Sequence, residues 1–445
     1  MASRRRAKPE MKIERLGTGD LRRLGGPQGA AAHLRALVAD GDSVAQDVGE
    51  ILSAVHAEGD VALREYTRRF DTAGREPRDL VVPAEELDAA IKELPLELVA
   101  GLQVAIANVA VVAQAGVSED VAVELVQGHS VTLREVPVQA AAIYVPGGRA
   151  PYPSTVVMGV VTARAAGVLD VVVSSPPGPD GQIDPAILGT CRLCGVERVY
   201  RMGGAQAIAA LAYGTETVER VGVIAGPGNL YVQEAKHQLS TLVGIDGFAG
   251  PSDLLLALGM DASERDIRLA ALDMLAQAEH GEGSLVAATS PSLAVCDALE
   301  ATLQRLVLDR PTVGEAAFAL VQVTGAREAI ELANAFAPEH LQLIGADVEA
   351  LAQMVQSAGC LFVGAESATA FGDYVAGSNH VLPTSGAARF ASSLSARHFR
   401  RRMPEVKIGP AAAKLAGAGA PVARAEGFEV HAESMEARLG ENGEP

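Results

Sequence analysis

The chain of 445 residues contains no tryptophan, and aromatic residues make up only 4% of it. Rings therefore contribute little to its interior, and a 49% apolar fraction has to supply the core through aliphatic side chains and alanine. Cysteine is equally scarce. Cys191, Cys194, Cys296 and Cys360 are too few for a disulfide framework at this length. Cys191-Arg-Leu-Cys194 spells C-x-x-C, but it lies in an apparently helical stretch with no second pair, so helix cysteines are favoured over a redox or zinc motif. Basic residues are outnumbered, 37 against 55, for a formal charge of −18, which argues against nucleic acid or an anionic membrane as partner. The basic cluster Arg4-Arg5-Arg6 reads as a solvated tail, with Met1 and Met11 both open as start sites. No apolar run approaches a membrane span, the longest, around Val104–Val117, carrying Asn108 and Gln114. With no signal-peptide pattern either, the expected location is cytoplasmic.

What is present is length and periodicity. A chain this long exceeds one compact core, so two or more domains are expected. From about Ala30 to Arg78 the spacing of Leu34, Leu37 and Val38, then Val48, Ile51, Leu52 and Val55, predicts helices, as does Leu96–Ala115 after Pro95. Val121–Val138 turns β-like. From Ala140 onward short apolar strands alternate with helices, and the turns between them hold Pro146-Gly147-Gly148, Gly203-Gly204 and Gly226-Pro-Gly228-Asn229. Such alternation indicates βαβ units and a mainly parallel sheet with its glycine turns at the carboxyl edge. A second α/β pattern begins after Pro251 and runs to Cys360–Val363. The fold class is thus α/β, two Rossmann-like domains, each incomplete and mainly parallel, with small extra N- and C-terminal segments. The assignment is an arm over 1–29, one domain from 30–139 with 251–390, a second over 140–250, and a C-terminal arm over 391–445 that includes the alanine- and glycine-rich stretch 409–421.

The glycine turns could hold a dinucleotide, because glycine allows close backbone approach and helix N-termini favour phosphate. Gly226-Pro-Gly228 lacks the third glycine of G-x-G-x-x-G, with Tyr231 in its place, so a nucleotide site and ordinary α/β turns stand about even on spacing alone. Four of the nine histidines fall in four short segments. In the helix ending at Gly281, Gln277 and His280 are three apart and project from one face, where an amide oxygen and an imidazole can share a divalent metal if other segments add ligands. Taken alone, His280 is more often a histidine at a helix C-terminus. Glu339-His340 offers a carboxylate and an imidazole for separate proton transfers, or simply a polar turn. Asp373 and His380 flank a glycine-bearing loop, which an Asx turn explains equally well. Glu426 and His431 sit in the terminal arm, where His431 by itself reads as a surface residue.

Taken together, the ordered runs Tyr144-Val-Pro-Gly-Gly148, Gly203-Gly-Ala-Gln206, Ala225-Gly-Pro-Gly-Asn229, Ala249-Gly-Pro-Ser252, Gln277-Ala-Glu-His280-Gly, Ala337-Pro-Glu-His340, Gly372-Asp373 through Asn379-His380-Val-Leu-Pro and Glu426 to His431 resemble the histidinol dehydrogenase family over roughly residues 30 to 440. The resemblance implies a homodimer with shared active sites that oxidises L-histidinol to L-histidine in two NAD-dependent steps through an aldehyde. It implies one Zn2+ per subunit, with Gln277, His280, Asp373 and His431 as ligands. His340 would be the base, and Glu339 would activate the water that hydrates the aldehyde. Tyr144, Gln206 and Asn229 would contact NAD. Ser252, His380 and Glu426 would bind substrate together with the metal ligands and His340, and Glu426 and His431 would reach in from the partner chain.

Some positions depart from the commoner family pattern. Asp253 stands where many relatives have glutamate, Gly247-Phe248 interrupts an apolar run, and Gly159 and Thr162 replace Asn and Pro. These leave open a sister dehydrogenase of another polar amino or sulfonated alcohol. A zinc hydrolase using Glu339 on water is a further alternative that leaves the glycine turns without a role. A third is a non-catalytic two-lobed binding protein.

Overall fold

The computed structural model describes residues 11–38, 43–147, 150–248, 250–281, 283–313 and 315–439; the Arg4–Arg6 tail, Gly148 and Ala249 lie outside them. Two parallel sheets organise the chain. The first runs Val199–Arg201, Asp170–Ser175, Ala140–Tyr144, Val223–Ala225, Gly244–Ile245. The second runs Ile13–Leu16, Ala317–Gln322, Leu285–Ser290, Asp253–Leu258, His340–Ile344, Cys360–Val363. Counted from Ala140–Tyr144 and from Asp253–Leu258, both share the order 3-2-1-4-5, and the second adds Ile13–Leu16 beside its third strand. Their central strands are near-continuous apolar runs such as Asp-Leu-Leu-Leu-Ala-Leu because helices cover both faces.

The helices attach differently from the sequence expectation. Val48, Ile51, Leu52 and Leu63 pack with Ala142, Tyr144 and Val172 on one face of the first sheet. Leu87, Leu102 and Val109 pack with Ile143 and Val173 on the other. The helices between 45 and 115 thus cover the 140–250 sheet, which corrects their assignment to the 251–390 domain. The segment expected to be an N-terminal arm is also corrected, since Ile13–Leu16 is a strand of the second sheet and Leu21, Ala30 and Leu34 are buried against it. Periodicity shows that a helix has an apolar stripe; it does not say which sheet that stripe meets.

Leu96–Ala115 is 20 residues long with a mean hydropathy of 1.9, which corrects the expectation that no apolar run reaches membrane length. It lies with Leu102, Ala105, Val109 and Ala113 on the first sheet, and Asn108 Nδ2 donates to the Val375 carbonyl at 2.7 Å. Between the last two strands of the second sheet, a short helix Ala346–Glu349 is followed by a 3-10 turn Ala352–Met354.

The C-terminal arm is more ordered than its composition suggests. Basic Arg400–Lys407 forms an antiparallel strand on Ser130–Pro137, which also pairs with Val121–Glu124. Beyond it, helices Ala412–Ala425 and Glu429–Glu436 fold onto each other through alanines 416, 420 and 432, and Arg424 pairs with Glu429 and Glu436.

Candidate functional site

The expected site residues gather in two places, with two exceptions. The first place is the carboxyl edge of the 140–250 sheet, where the turns after Tyr144, Arg201 and Ala225 open on a cleft of about 1210 Å³. Close backbone approach forms this edge: a Cβ at Gly226, where φ is +124°, would meet the Tyr144 carbonyl oxygen at 2.1 Å. Lys236, buried behind it, donates to the Gly226 carbonyl at 3.0 Å and pairs with Asp246, whose other oxygen accepts from Gly226 N–H at 2.7 Å.

Tyr144, Gln206 and Asn229 all line this cleft. Tyr144 hydroxyl accepts from Gly204 N–H at 3.1 Å, and Asn229 Oδ1 caps helix Leu230–Leu239 through Val232 N–H. Gln206 Nε2 donates to Asp71 at 3.3 Å, leaving its buried Oε1 without a partner. Asp71 had no sequence signal, since it simply follows the end of helix Asp60–Phe70. Burial pushes its carboxyl up to about 7, against bonds from Gly203 N–H and Gln206. An open depression of about 770 Å³ near Gly59 and Arg220 holds none of the expected residues.

The second place is the amino edge of the other sheet. Helix Glu264–Gln277, capped by Ser263 and Asp266, continues through the 3-10 turn Ala278–His280 and stops at Gly281, where φ is +96°. It delivers Gln277, whose Nε2 donates to Ser252 Oγ at the entrance of strand Asp253–Leu258. Ser252 Oγ in turn donates to Glu339 Oε2. His340 opens the next strand, with Nδ1 3.7 Å from Glu339 Oε2 and Nε2 3.4 Å from Asp373 Oδ1. Asp373 ends helix Thr369–Tyr374, which sits close because Gly372 abuts Phe362, where a Cβ would lie 2.6 Å from the ring. Asn379 Nδ2 reaches across to the Met158 carbonyl at 3.0 Å and Thr162 Oγ1 at 3.2 Å, so Thr162, a departure from the family pattern, serves as an anchor.

Electrostatically the cluster is one unit. Burial raises Glu339 to about 7, opposed by His340 and reinforced by Asp253. Burial works against a charge on His340, but Glu339 and Asp373 outweigh it and bring the ring up to about 9. Burial lowers His280 and His380, both partly offset by Asp373. Burial would raise Asp373, yet His340, His380 and His280 together hold it below the usual carboxylate range. His280 stays solvent-accessible although protein surrounds most of it. Tyr152 and Tyr374 interact beside Asp373, and Ala150 and Pro151 line the first cleft, so the loop before helix Pro153–Ala165 links the two places.

Among the described residues, no three His, Cys, Asp or Glu side chains converge as a metal-holding group. One chain offers the imidazole of His280, the carboxylate of Asp373 and the amide of Gln277, a nitrogen and oxygen donor set suited to zinc but one ligand short. Buried His380 Nε2 and both His340 nitrogens lack hydrogen-bond partners, as polar atoms awaiting a ligand would. The exceptions are Glu426 and His431. Both are exposed on the C-terminal helical hairpin, and the His431 ring packs against Phe428 with centroids 5.1 Å apart.

Sequence reading also missed the supports behind the cluster. Asp253, noted only as a departure, accepts from Arg35 Nη1 at 2.6 Å, Glu339 N–H at 2.8 Å and Ser385 N–H at 3.2 Å. Arg35 stacks over Phe336 at 3.8 Å and donates to its carbonyl at 2.8 Å.

Comparison with known proteins bears on the whole chain. The family model for histidinol dehydrogenase matches residues 35–439. A histidinol dehydrogenase of Synechococcus sp. is 43% identical over 398 residues, covering 88% of this chain and 91% of its own length. That of Rhizobium meliloti is 40% identical, covering 90% and 94%. The crystal structure of histidinol dehydrogenase from Elizabethkingia anophelis superposes with a TM-score of 0.87 at 29% identity, covering 96% of this chain and 98% of its own.

Proposed function

The chain belongs to the histidinol dehydrogenase family, and from that premise we propose that it oxidises L-histidinol to L-histidine by way of L-histidinal in two NAD-dependent steps, with one zinc ion per subunit, as a cytoplasmic homodimer. The observation that carries this reading is the meeting of Ser252, Gln277, Glu339, His340 and Asp373 at one sheet edge, joined by loop 150–152 to a glycine-turn cleft large enough for a dinucleotide.

Gln277, His280 and Asp373 would hold zinc, with His431 from a second copy as the fourth ligand. The exposed hairpin that carries His431 and Glu426, with Val422, Phe428 and Val430 open to solvent, supports that exchange. Bound zinc supplies a Lewis acid that anchors the imidazole and amine of the substrate. His340, in its neutral form, would take the hydroxyl proton so that the carbinol hydride can pass to bound NAD. Glu339, held by Ser252 Oγ and Asp253 N–H, takes a proton from water as it adds to the aldehyde, whose oxygen receives the proton that His340 carries; burial, which lifts the Glu339 carboxyl to about 7, suits it as a base near neutral pH. His340, neutral again after giving its proton to the aldehyde oxygen, would take the hydroxyl proton of the hydrate so that the second hydride can pass to bound NAD. His380 and Glu426 orient the substrate, while Tyr144, Gln206 and Asn229 floor the cofactor cleft.

The test is NADH formation with L-histidinol beside a panel of amino and sulfonated alcohols. Two NADH per histidinol are expected, and prior removal of zinc by a chelator should abolish them. Turnover of a panel member in preference to histidinol assigns a sister substrate; hydrolysis without NADH assigns the hydrolase. Without tryptophan, NADH fluorescence can be read free of indole emission.

A further inference from the structure

A buried polar pair stands behind the cluster and takes no part in the chemistry above. Asp273 is 7% exposed, on the inward face of helix Glu264–Gln277, and Gln342 is fully buried in the strand His-Leu-Gln-Leu-Ile. The Asp273 carboxyl faces the Gln342 amide, which favours its charged form. Gln342 Nε2 also donates to the Ser367 carbonyl at 3.1 Å. Asp273 Oδ2 and Gln342 Oε1 are buried without a hydrogen-bond partner among the described residues. Their neighbours on this side of the sheet are apolar, among them Ala271, Met274, Leu256 and Ile344. Placing a carboxyl and an amide there costs stability relative to packed hydrocarbon, which asks for another reason for their presence.

Their spacing supplies it. Asp273, Gln277 and His280 are separated by four and then three residues, so they share one helix face. His340 and Gln342 are two apart, so they share one face of their strand, the face that packs on that helix. Ser367 lies two residues ahead of helix Thr369–Tyr374, which carries Asp373. One contact set therefore ties together the three elements that bear His280, His340 and Asp373.

We propose that Asp273 and Gln342 act as a positioning pair, fixing the helix of Gln277 and His280, the strand of His340 and the helix of Asp373 at the spacing the metal and substrate need. The inference rests on the function proposed above. Burial raises the Asp273 carboxyl to about 6, working against the Gln342 amide, in keeping with a side chain sealed from solvent behind the site.

The experiment compares wild type, Asp273→Asn, Asp273→Leu and Gln342→Met for zinc affinity by chelator competition, for kcat and KM with zinc restored, and for thermal unfolding. Asp273→Leu and Gln342→Met keep volume and sever the pair. They should lose about 10- to 100-fold in zinc affinity and kcat, while KM for NAD, set at the other sheet, stays unchanged. Asp273→Asn keeps a polar partner for the amide and should recover most of both. Should Asp273→Leu fail to fold, Gln342→Met carries the same comparison. Severed variants that unfold at lower temperature but keep wild-type zinc affinity and kcat overturn the proposal, as does an Asn variant no better than Leu. Wild-type protein that neither binds zinc nor oxidises histidinol overturns the functional reading itself, and the pair with it.

Discussion

Asp253 and Glu339 bond each other in both directions: Glu339 N–H donates to Asp253 Oδ1 at 2.8 Å, and Asp253 N–H donates to Glu339 Oε2 at 3.0 Å. The two residues open neighbouring stretches of the second sheet, and Arg35 closes the arrangement from outside at 2.6 Å. Asp253→Ala leaves the half-buried Arg35 guanidinium and two N–H groups without their acceptor. A loss of about 3 kcal/mol is expected in denaturant unfolding; a loss below about 1 kcal/mol would mean that the interaction contributes little.

Glu339→Gln keeps the bonds from Ser252 and Asp253 N–H through its amide oxygen but can no longer take a proton from water. Oxidation of added L-histidinal should fall by about 100-fold or more, while oxidation of histidinol to the aldehyde falls much less. Equal losses in both half-reactions would remove Glu339 from the hydration step.

His280→Ala removes one of the proposed zinc donors at a solvent-facing position, so thermal unfolding of the metal-free protein should barely move while bound zinc and turnover disappear. Full activity in a metal-free His280→Ala protein would sink the ligand assignment.

A His431 variant and a His340 variant, each inactive alone, should regain part of the wild-type rate when mixed under conditions of subunit exchange. That follows from His431 lying exposed on the arm while His340 is buried in the cluster. The absence of rescue would place the whole site within one chain.

Asp71 makes folding depend on pH. Its ordinary value is 3.8 and the fold raises it to about 7, so between those values the folded chain binds a proton that the unfolded chain has released. Its contribution to stability is complete below the unfolded value and is lost as pH rises through the folded one. Asp71→Asn stays neutral throughout, so its melting temperature should gain on wild type from about pH 4 to about pH 7. A constant gap across that range would show that Asp71 titrates normally.

Much was readable from the residues in order. The strand Cys360–Val363 and the helix Leu96–Ala115 have the bounds their periodicity predicts, and the glycine turns fall at the carboxyl edge of the first sheet as right-handed crossovers require. The spacing of Gln277 and His280, and the pairing of Glu339 with His340, were likewise legible because they are local.

Sequence alone thus determined which elements form and which donor atoms they carry, since both follow from a period of two or 3.6 and from side-chain chemistry. Only the tertiary structure decided that the helices of 45–115 cover the first sheet, that Arg35 reaches Asp253, that Asp71 supports Gln206 and that Asp273 meets Gln342. An apolar stripe or a lone carboxylate looks the same whichever neighbour it faces, and the choice of neighbour is made by packing between segments far apart in the chain.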